Sequence, residues 1–169
     1  MYYSPRVPFT ATLQSIPDGR DGTLATLKAM REFVRAGKYS LPVRQKAVSL
    51  TSALKQKDWV GELKAVHHFV RDEIRYVRDI RGIETVQTPE ITLQIGSGDC
   101  DDKSVLGASL LESIGHPTRL VAIGFSPDDF AHVYFESLIG KRWIALETTE
   151  PVELGWSAPN AVSRLIVHN

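Results

Sequence analysis

The hydrophobic pattern of this chain changes its period once, at Gly115, and this change constrains the fold more than any other feature. Before Gly115, apolar residues recur at the spacing of amphipathic helices. After it, apolar and polar residues alternate in short runs separated by turn residues, as in antiparallel strands. Helices followed by strands predict an α+β fold in which a helix packs on an antiparallel sheet.

Five helices are predicted before the change of period. Residues that cap helices or begin them precede the first four, and glycines end the first and the last. The predicted caps are Thr23, Ser40, Asp58 and Thr88, and a long apolar helix then runs from about Asp99 to Ile114. In the third helix, the predicted core face consists of Trp59, Leu63, Val66, Val70, Ile74 and Val77.

Strands and turns account for most of the remaining chain. Three strands are predicted at Arg119–Phe125, His132–Ile139 and Arg142–Thr148, with a short fourth at Arg164–Val167. We interpret residues 1–169 as one domain, because this length suits a single hydrophobic core. Residues 1–22 are predicted to form an extended N-terminal arm, and residues 151–169 a C-terminal tail.

The composition excludes several classes of protein. Twenty basic residues balance twenty acidic ones, so no overall charge favours nucleic acid or an anionic membrane. The N-terminal residues lack a signal-peptide pattern, and no apolar run spans a bilayer, so we expect a cytoplasmic protein. A single cysteine excludes an internal disulfide and a multi-thiolate metal site. No residue pattern implies a metal or a cofactor.

That cysteine, Cys100, is predicted to lie at the start of the long apolar helix, after a glycine-rich turn. A helix N-terminus carries roughly half a positive charge and unpaired N–H groups, which favour the thiolate, the nucleophilic form of cysteine. Asp99, Asp101 and Asp102 raise the thiol pKa instead, unless they point away. The alternative interpretation is a buried structural thiol, which is common for free cysteine.

A histidine and a carboxylate follow in the order that a cysteine acyl-transfer site requires. His132 heads a predicted strand, and Glu147 lies at the end of the next strand. An imidazole beside a thiol can accept its proton and later protonate a leaving amine, and a carboxylate can orient the ring. The alternatives are a surface histidine and a solvent-facing glutamate. Other carboxylates could also orient the ring, namely Asp128, Asp129 and Glu136.

Three stretches together resemble the transglutaminase-like superfamily. They are Gly98–Ser104 before a leucine-rich helix, Ala131–Glu136, and Trp143–Thr149, and the resemblance covers about residues 60–150. It implies a papain-like α+β core with Cys100 as the nucleophile and His132 as base and acid. It also implies an orienting carboxylate at position 147, where this chain has Glu147 and the family usually has Asp.

The resemblance implies a cysteine peptidase, an amidase or an acyltransferase that acts on a peptide or amide bond of a protein or peptide substrate. The alternative is a scaffold or protein-binding module that retains the fold without turnover. Small members of this kind resemble proteins encoded among tailed-phage structural genes. Phage structural proteins are therefore candidate partners, and association with a virion is a candidate location.

Overall fold

A computed structural model describes residues 16–79 and 85–169 of the chain. Within these ranges it contains five α-helices, one π-helical turn and six β-strands. The helices are α1 (Gly19–Gly37), α2 (Leu41–Thr51), α3 (Trp59–His68), α4 (Pro89–Ile95) and α5 (Cys100–Ser113), and the π-helical turn is Phe69–Glu73. The strands are β1 (Arg75–Tyr76), β2 (Ser97–Gly98), β3 (Thr118–Ser126), β4 (Asp129–Ile139), β5 (Arg142–Leu146) and β6 (Ser163–His168). None of the helices in these ranges is both long and apolar enough to cross a membrane.

The predicted α+β architecture is confirmed. Four antiparallel strands form the main sheet in the order β5-β4-β3-β6, and helix α5 packs against β4 and β3. Strand alternation turns Val133 and Phe135 towards the core that α5 shares, while Tyr134 joins a smaller apolar cluster on the other face. A separate parallel pair, β1 with β2, lies directly before the start of α5.

Helix α5 approaches the sheet closely at Gly107. A Cβ atom at this position would lie 2.3 Å from the Phe135 ring, so the close packing of helix on strand requires glycine here. Phe135 is fully buried, and the ring has no solvent-filled space into which it can move. The helix that carries Cys100 is therefore held against β4, the strand that carries His132.

We expect Gly107→Ala to destabilise the protein although alanine favours helices. Overpacking of a well-filled core costs about 1–3 kcal/mol. The gain in helix propensity when alanine replaces glycine is at most about 1 kcal/mol. Urea unfolding measures the change. The double variant Gly107→Ala/Phe135→Leu should lose less free energy of unfolding than the two single variants together, because leucine has no ring for the new Cβ atom to meet. Additive costs would show that the two positions do not meet.

The structure corrects two details of the helical prediction. Helix α1 begins at Gly19 rather than after Thr23, because glycine at position 22 lets the chain pack on the Pro17 carbonyl. In the third helix, Trp59 and Val77 are 50% and 45% exposed and do not belong to the core. The π-helical turn ends that helix at Glu73, and Val77 lies beyond it, after strand β1.

The last strand, β6, completes the main sheet. The short strand predicted at Arg164–Val167 is present as Ser163–His168 and pairs antiparallel with β3. The C-terminal segment 151–169 therefore contributes an edge strand to the sheet. Most of the predicted N-terminal arm, residues 1–15, lies outside the described residues.

Candidate active site

Cys100 is the first residue of α5, and local hydrogen bonds fix this start. The Asp99 side chain accepts hydrogen bonds from the backbone N–H groups of Asp101 and Asp102, and the Asp102 side chain accepts from the Asp99 N–H. This reciprocal arrangement is a capping box. The β1–β2 pair holds Gly98 just before it, so the position of Cys100 does not depend on a free loop.

The surroundings of the Cys100 thiol disfavour its ionised form. Burial raises the thiol pKa, and the negative charges of Asp101 and Asp99 raise it further. The Cys100 sulfur lies 3.5 Å from Asp101 Oδ1. A hydrogen bond from the Val133 backbone N–H acts in the opposite direction but does not offset these effects. The aspartates thus raise the thiol pKa as the sequence analysis allowed, and burial adds to their effect, whereas the favourable effect of the helix N-terminus stays a prediction.

His132 and Glu147 form a close hydrogen-bonded pair. His132 Nε2 lies 2.5 Å from Glu147 Oε2, and the second carboxylate oxygen accepts hydrogen bonds from the Thr149 N–H and hydroxyl, both at 2.7 Å. Burial opposes ionisation of Glu147, but the hydrogen bonds from His132 and Thr149 outweigh it and lower the Glu147 pKa. Glu147 is thus a buried carboxylate, held in its ionised form, with one oxygen hydrogen-bonded to the His132 ring.

Cys100 and His132 line the same cavity, which has a volume of about 400 Å³. Val133, next to His132, contacts the cysteine through its backbone N–H. Four aspartates also line this cavity, namely Asp18, Asp101, Asp128 and Asp129, with no lysine or arginine among the described residues around it. The structure therefore brings the predicted nucleophile and the predicted base to one acidic cavity.

The other carboxylates that could have oriented the ring are placed differently. Glu136 accepts hydrogen bonds from Arg119 Nε at 2.6 Å and from Arg164 Nη2. Asp128 and Asp129 lie at the rim of the cavity and are exposed, and Asp129 accepts a hydrogen bond from Ser126. Among these candidates, Glu147 alone has a hydrogen bond to His132 in the described part of the chain.

His67 is a residue near the site that the sequence analysis passed over. It lies on α3, is fully buried, and its Nε2 is 2.6 Å from the backbone carbonyl of Glu147. A carbonyl only accepts, so Nε2 carries the proton and donates it. Burial lowers the His67 pKa, and Nδ1 has no hydrogen-bond partner among the described residues. His67 therefore fixes, as a neutral ring, the backbone from which the Glu147 side chain extends.

We expect the neutral His67 ring to make the protein sensitive to mild acid. The unfolded chain protonates this histidine near pH 6.5, whereas the folded chain resists protonation, so the free energy of unfolding decreases as the pH falls below 6.5. His67→Gln retains a donor for the Glu147 carbonyl and removes the titration. Between pH 7 and 5, the melting temperature of this variant should fall less than that of the wild type. The exposed neighbour variant His68→Gln should behave like the wild type, and parallel profiles for all three proteins would contradict the assignment.

Lys103, one helical turn after Cys100, is the second residue that the sequence analysis did not identify. The side chain is almost fully buried, and Nζ donates hydrogen bonds to the carbonyls of Ile74 at 2.8 Å and Arg71 at 3.3 Å. Burial lowers the Lys103 pKa to about 8, although the charges of Glu147 and Asp72 oppose the shift. The Lys103 ammonium thus provides hydrogen bonds to carbonyls at the end of the π-helical turn and attaches that turn to α5, the helix that carries Cys100.

The acidic group at the start of α5 could also hold a metal ion. Asp99, Cys100 and Asp101 each offer one ligand atom, and these atoms lie within 4.8 Å of one another. Carboxylate oxygens suit hard cations such as Ca²⁺, whereas a thiol does not. Since the Asp99 carboxylate already accepts two backbone hydrogen bonds, the cluster also has a structural explanation as a helix cap.

Comparison with known protein families decides the classification. The profile of the transglutaminase-like superfamily matches residues 44–148, which is more than half of the 169 residues. The chain belongs to the transglutaminase-like superfamily. The matched region includes Cys100, His132 and Glu147, together with all of α5 and the first three strands of the main sheet. No curated protein sequence matches the chain.

Solved structures of bacterial proteins share this fold. A proposed cysteine protease from Cytophaga hutchinsonii aligns with a TM-score of 0.53 at 21% identity, over 76% of this chain and 46% of its own length. A proposed protease from Parabacteroides distasonis aligns with a TM-score of 0.60 at 13% identity, over 85% of this chain and 32% of its own. LapG from Legionella pneumophila, in its calcium-bound form, aligns with a TM-score of 0.56 at 17% identity, over 80% of each chain. The chain spans less than half of the first two proteins.

Proposed function

We propose that this protein is a cysteine-dependent acyl transferase that cleaves a peptide or amide bond, with Cys100, His132 and Glu147 as its catalytic triad. The observation that carries the proposal is the 2.5 Å contact between His132 Nε2 and Glu147, with His132 in the same cavity as the only cysteine. Membership of the superfamily and the fold shared with proposed cysteine proteases support the same chemistry.

In the proposed mechanism each nitrogen of the ring has its own role. Because Nε2 is engaged by Glu147, Nδ1 is the nitrogen left to accept the thiol proton. The Cys100 sulfur then bonds to the substrate carbonyl carbon, and the resulting imidazolium gives its proton to the amine nitrogen as the C–N bond breaks. Water adds to the thioester carbonyl in the second half-reaction, with His132 as base, and releases the acid and the free thiol. The Cys100 N–H at the start of α5 is the proposed donor to the oxyanion.

The raised thiol pKa determines how the thiol is activated. A standing thiolate is disfavoured beside Asp99 and Asp101, so His132 removes the proton as the sulfur attacks rather than beforehand. Acylation should therefore depend on His132, because little thiolate is available to attack without a general base.

We expect acetylation of Cys100 by p-nitrophenyl acetate to depend on His132. Loss of a general base costs about 10²-fold or more, so His132→Ala should acetylate at about one hundredth of the wild-type rate. Intact-protein mass spectrometry measures the uptake of acetyl groups, and subtracting the uptake of Cys100→Ala isolates the single cysteine from the other nucleophiles. The exposed His68 supplies the matched control His68→Ala. Equal rates in the two histidine variants would remove His132 from the mechanism.

A second candidate function is a scaffold or binding module that retains the fold without turnover, including a component of a virion. The observation that favours it is the 3.5 Å contact between the Cys100 sulfur and Asp101 Oδ1, since a carboxylate at this place opposes ionisation of the thiol. This candidate predicts that Cys100 reacts with p-nitrophenyl acetate only after unfolding in urea. The triad predicts the opposite order, with the folded protein faster than the unfolded one at the same pH.

The same assay also tests for a role of calcium. LapG has been solved in calcium-bound and EGTA-treated forms. In this chain the carboxylates of Asp99 and Asp101 flank the nucleophile. Acetylation rates measured with added Ca²⁺ and with EGTA distinguish a cation-dependent site from a cluster that only caps α5: a cation-dependent site changes rate between the two conditions, and a helix cap does not.

A further inference from the structure

A second groove adjoins the candidate active site and differs from the first cavity in its lining. It has a volume of about 590 Å³ and is lined by His132 and Glu147 but not by Cys100. Three aromatic side chains, Tyr76, Phe125 and Trp156, also line it, and we call it the aromatic groove. His132 is thus shared by an acidic cavity that contains Cys100 and by a groove that aromatic rings line together with charged side chains.

The aromatic side chains of this groove are exposed although they are large. Tyr76, Phe125 and Trp156 are 44%, 47% and 38% exposed, and they come from three separate segments of the chain. Phe125 lies at an irregularity in the pairing of β3 with β4, and bulges near active sites often re-aim a side chain. Convergence of exposed aromatic rings beside a catalytic histidine is typical of a binding site for an apolar group.

The walls of the aromatic groove are held by hydrogen bonds and need little ordering on binding. Tyr76 belongs to β1, which pairs with β2 in front of Cys100. The loop before Trp156 is fixed to β5 by a bond from the Gly155 N–H to the Ala145 carbonyl at 2.8 Å. Arg71 Nη1 donates to the Val152 carbonyl in the same loop, also at 2.8 Å. A preformed groove binds its ligand with a smaller entropic cost than a mobile one.

The chemistry of acyl transfer indicates which half of the substrate enters this groove. The carbonyl carbon must reach the Cys100 sulfur, whereas the departing amine must reach His132, which supplies its proton. A groove that contains His132 but not Cys100 therefore lies on the side of the leaving amine. Glu147, Glu150 and Arg78 also line it, and the two carboxylates suit the positive charge of the free amine after release.

We propose that the aromatic groove binds the leaving half of a peptide substrate and selects an aromatic or large aliphatic side chain on the residue that follows the cleaved bond. The inference rests on the proposed acyl-transfer function for its orientation. The apolar side chain packs among Tyr76, Phe125 and Trp156, and the new amino terminus lies next to His132. Trp156 and Tyr76 are then specificity-determining residues rather than catalytic ones.

Binding of leaving-half mimics tests this proposal without requiring turnover. The probes are phenylalanyl-alanine amide, leucyl-alanine amide and alanyl-alanine amide, each with a free amino terminus. The indole N–H signals of the three tryptophans, followed by NMR on the ¹⁵N-labelled protein, report where each probe binds. We expect the phenylalanyl probe to bind about tenfold more tightly than the alanyl probe, because an aromatic side chain buries more apolar area. The Trp156 signal should move, and the exposed Trp59 signal should not.

Matched substitutions complete the test. Trp156→Ala and Tyr76→Ala should each reduce the preference for the phenylalanyl probe, whereas Trp59→Ala and Tyr39→Ala alter exposed rings away from this groove and should leave it unchanged. Equal affinities for the three probes, or a preference that persists in Trp156→Ala, would overturn the proposal. Acetylation of Cys100 is measured on the same samples. Binding without acetylation would reject the proposed function alone, and acetylation without selective binding would reject the groove alone.

Discussion

Glu147→Gln should abolish most of the acylation activity of Cys100 while leaving the protein folded. The two Glu147 oxygens have distinct partners, His132 on one side and the Thr149 N–H and hydroxyl on the other. Glutamine has one oxygen and one NH₂ group, so it cannot accept from both sides. If the oxygen faces Thr149, the NH₂ group donates to His132 Nε2 and leaves the ring proton on Nδ1. The nitrogen that should take the thiol proton is then already protonated, and the corresponding loss in a serine triad is about 10⁴-fold.

The shorter variant Glu147→Asp should have an intermediate effect. It keeps the charge but withdraws both oxygens by about one C–C bond, so contacts of 2.5–2.7 Å to His132 and Thr149 cannot all be kept. The matched control is Glu153→Gln, whose side chain is 79% exposed. Acetylation rates by p-nitrophenyl acetate and thermal midpoints are measured for all three variants. Wild-type rates in both Glu147 variants would exclude Glu147 from the triad and leave at most a Cys100–His132 pair.

Local sequence signals predicted most of the secondary structure because they act within a few residues. Ser40 lies directly before α2, Pro89 begins α4, and Gly115 follows α5 with a φ of +98°, a conformation that side chains rarely adopt. The exposed positions Trp59 and Val77 were assigned to the core because the prediction extended one helix through the π-helical turn. That turn is followed by β1, which forms only by pairing with β2, about twenty residues later in the chain. Periodicity within one segment contains no information about such a contact.

The candidate site shows the same division between local and tertiary signals. The order Cys100, His132, Glu147 could be predicted from residue types and element boundaries. The size of the rise in the thiol pKa could not be predicted, because the main cause of the rise is burial, which arises only when the chain folds. His67 and Lys103 carry polar side chains that usually lie at the surface, and their partners are backbone carbonyls of distant residues. The partner of each becomes visible only in three dimensions.

Glu136→Ala should cause a large loss of stability with little loss of activity, and this contrast separates a structural carboxylate from Glu147, the proposed catalytic one. Glu136 is buried on β4 and accepts hydrogen bonds from Arg119 on β3 and Arg164 on β6, so it joins three strands of the main sheet. Its removal leaves Arg119, which also stacks on the Trp143 ring, without its carboxylate partner. Breaking a buried ion pair costs about 3–5 kcal/mol, which lowers the melting temperature of a protein of this size by roughly 10 °C.

The exposed ion pairs of Glu32 with Arg31 and Arg35 supply the stability control. Glu32→Ala should change the free energy of unfolding by no more than about 0.5 kcal/mol, because water screens surface pairs. Below the melting transition, Glu136→Ala should acetylate Cys100 at the wild-type rate, since Glu136 has no hydrogen bond to His132. A slower rate at an unchanged melting temperature would instead place Glu136 in the active site, in competition with Glu147. If Glu136→Ala loses stability and Glu147→Gln loses activity, the first carboxylate stabilises the sheet and the second supports acylation.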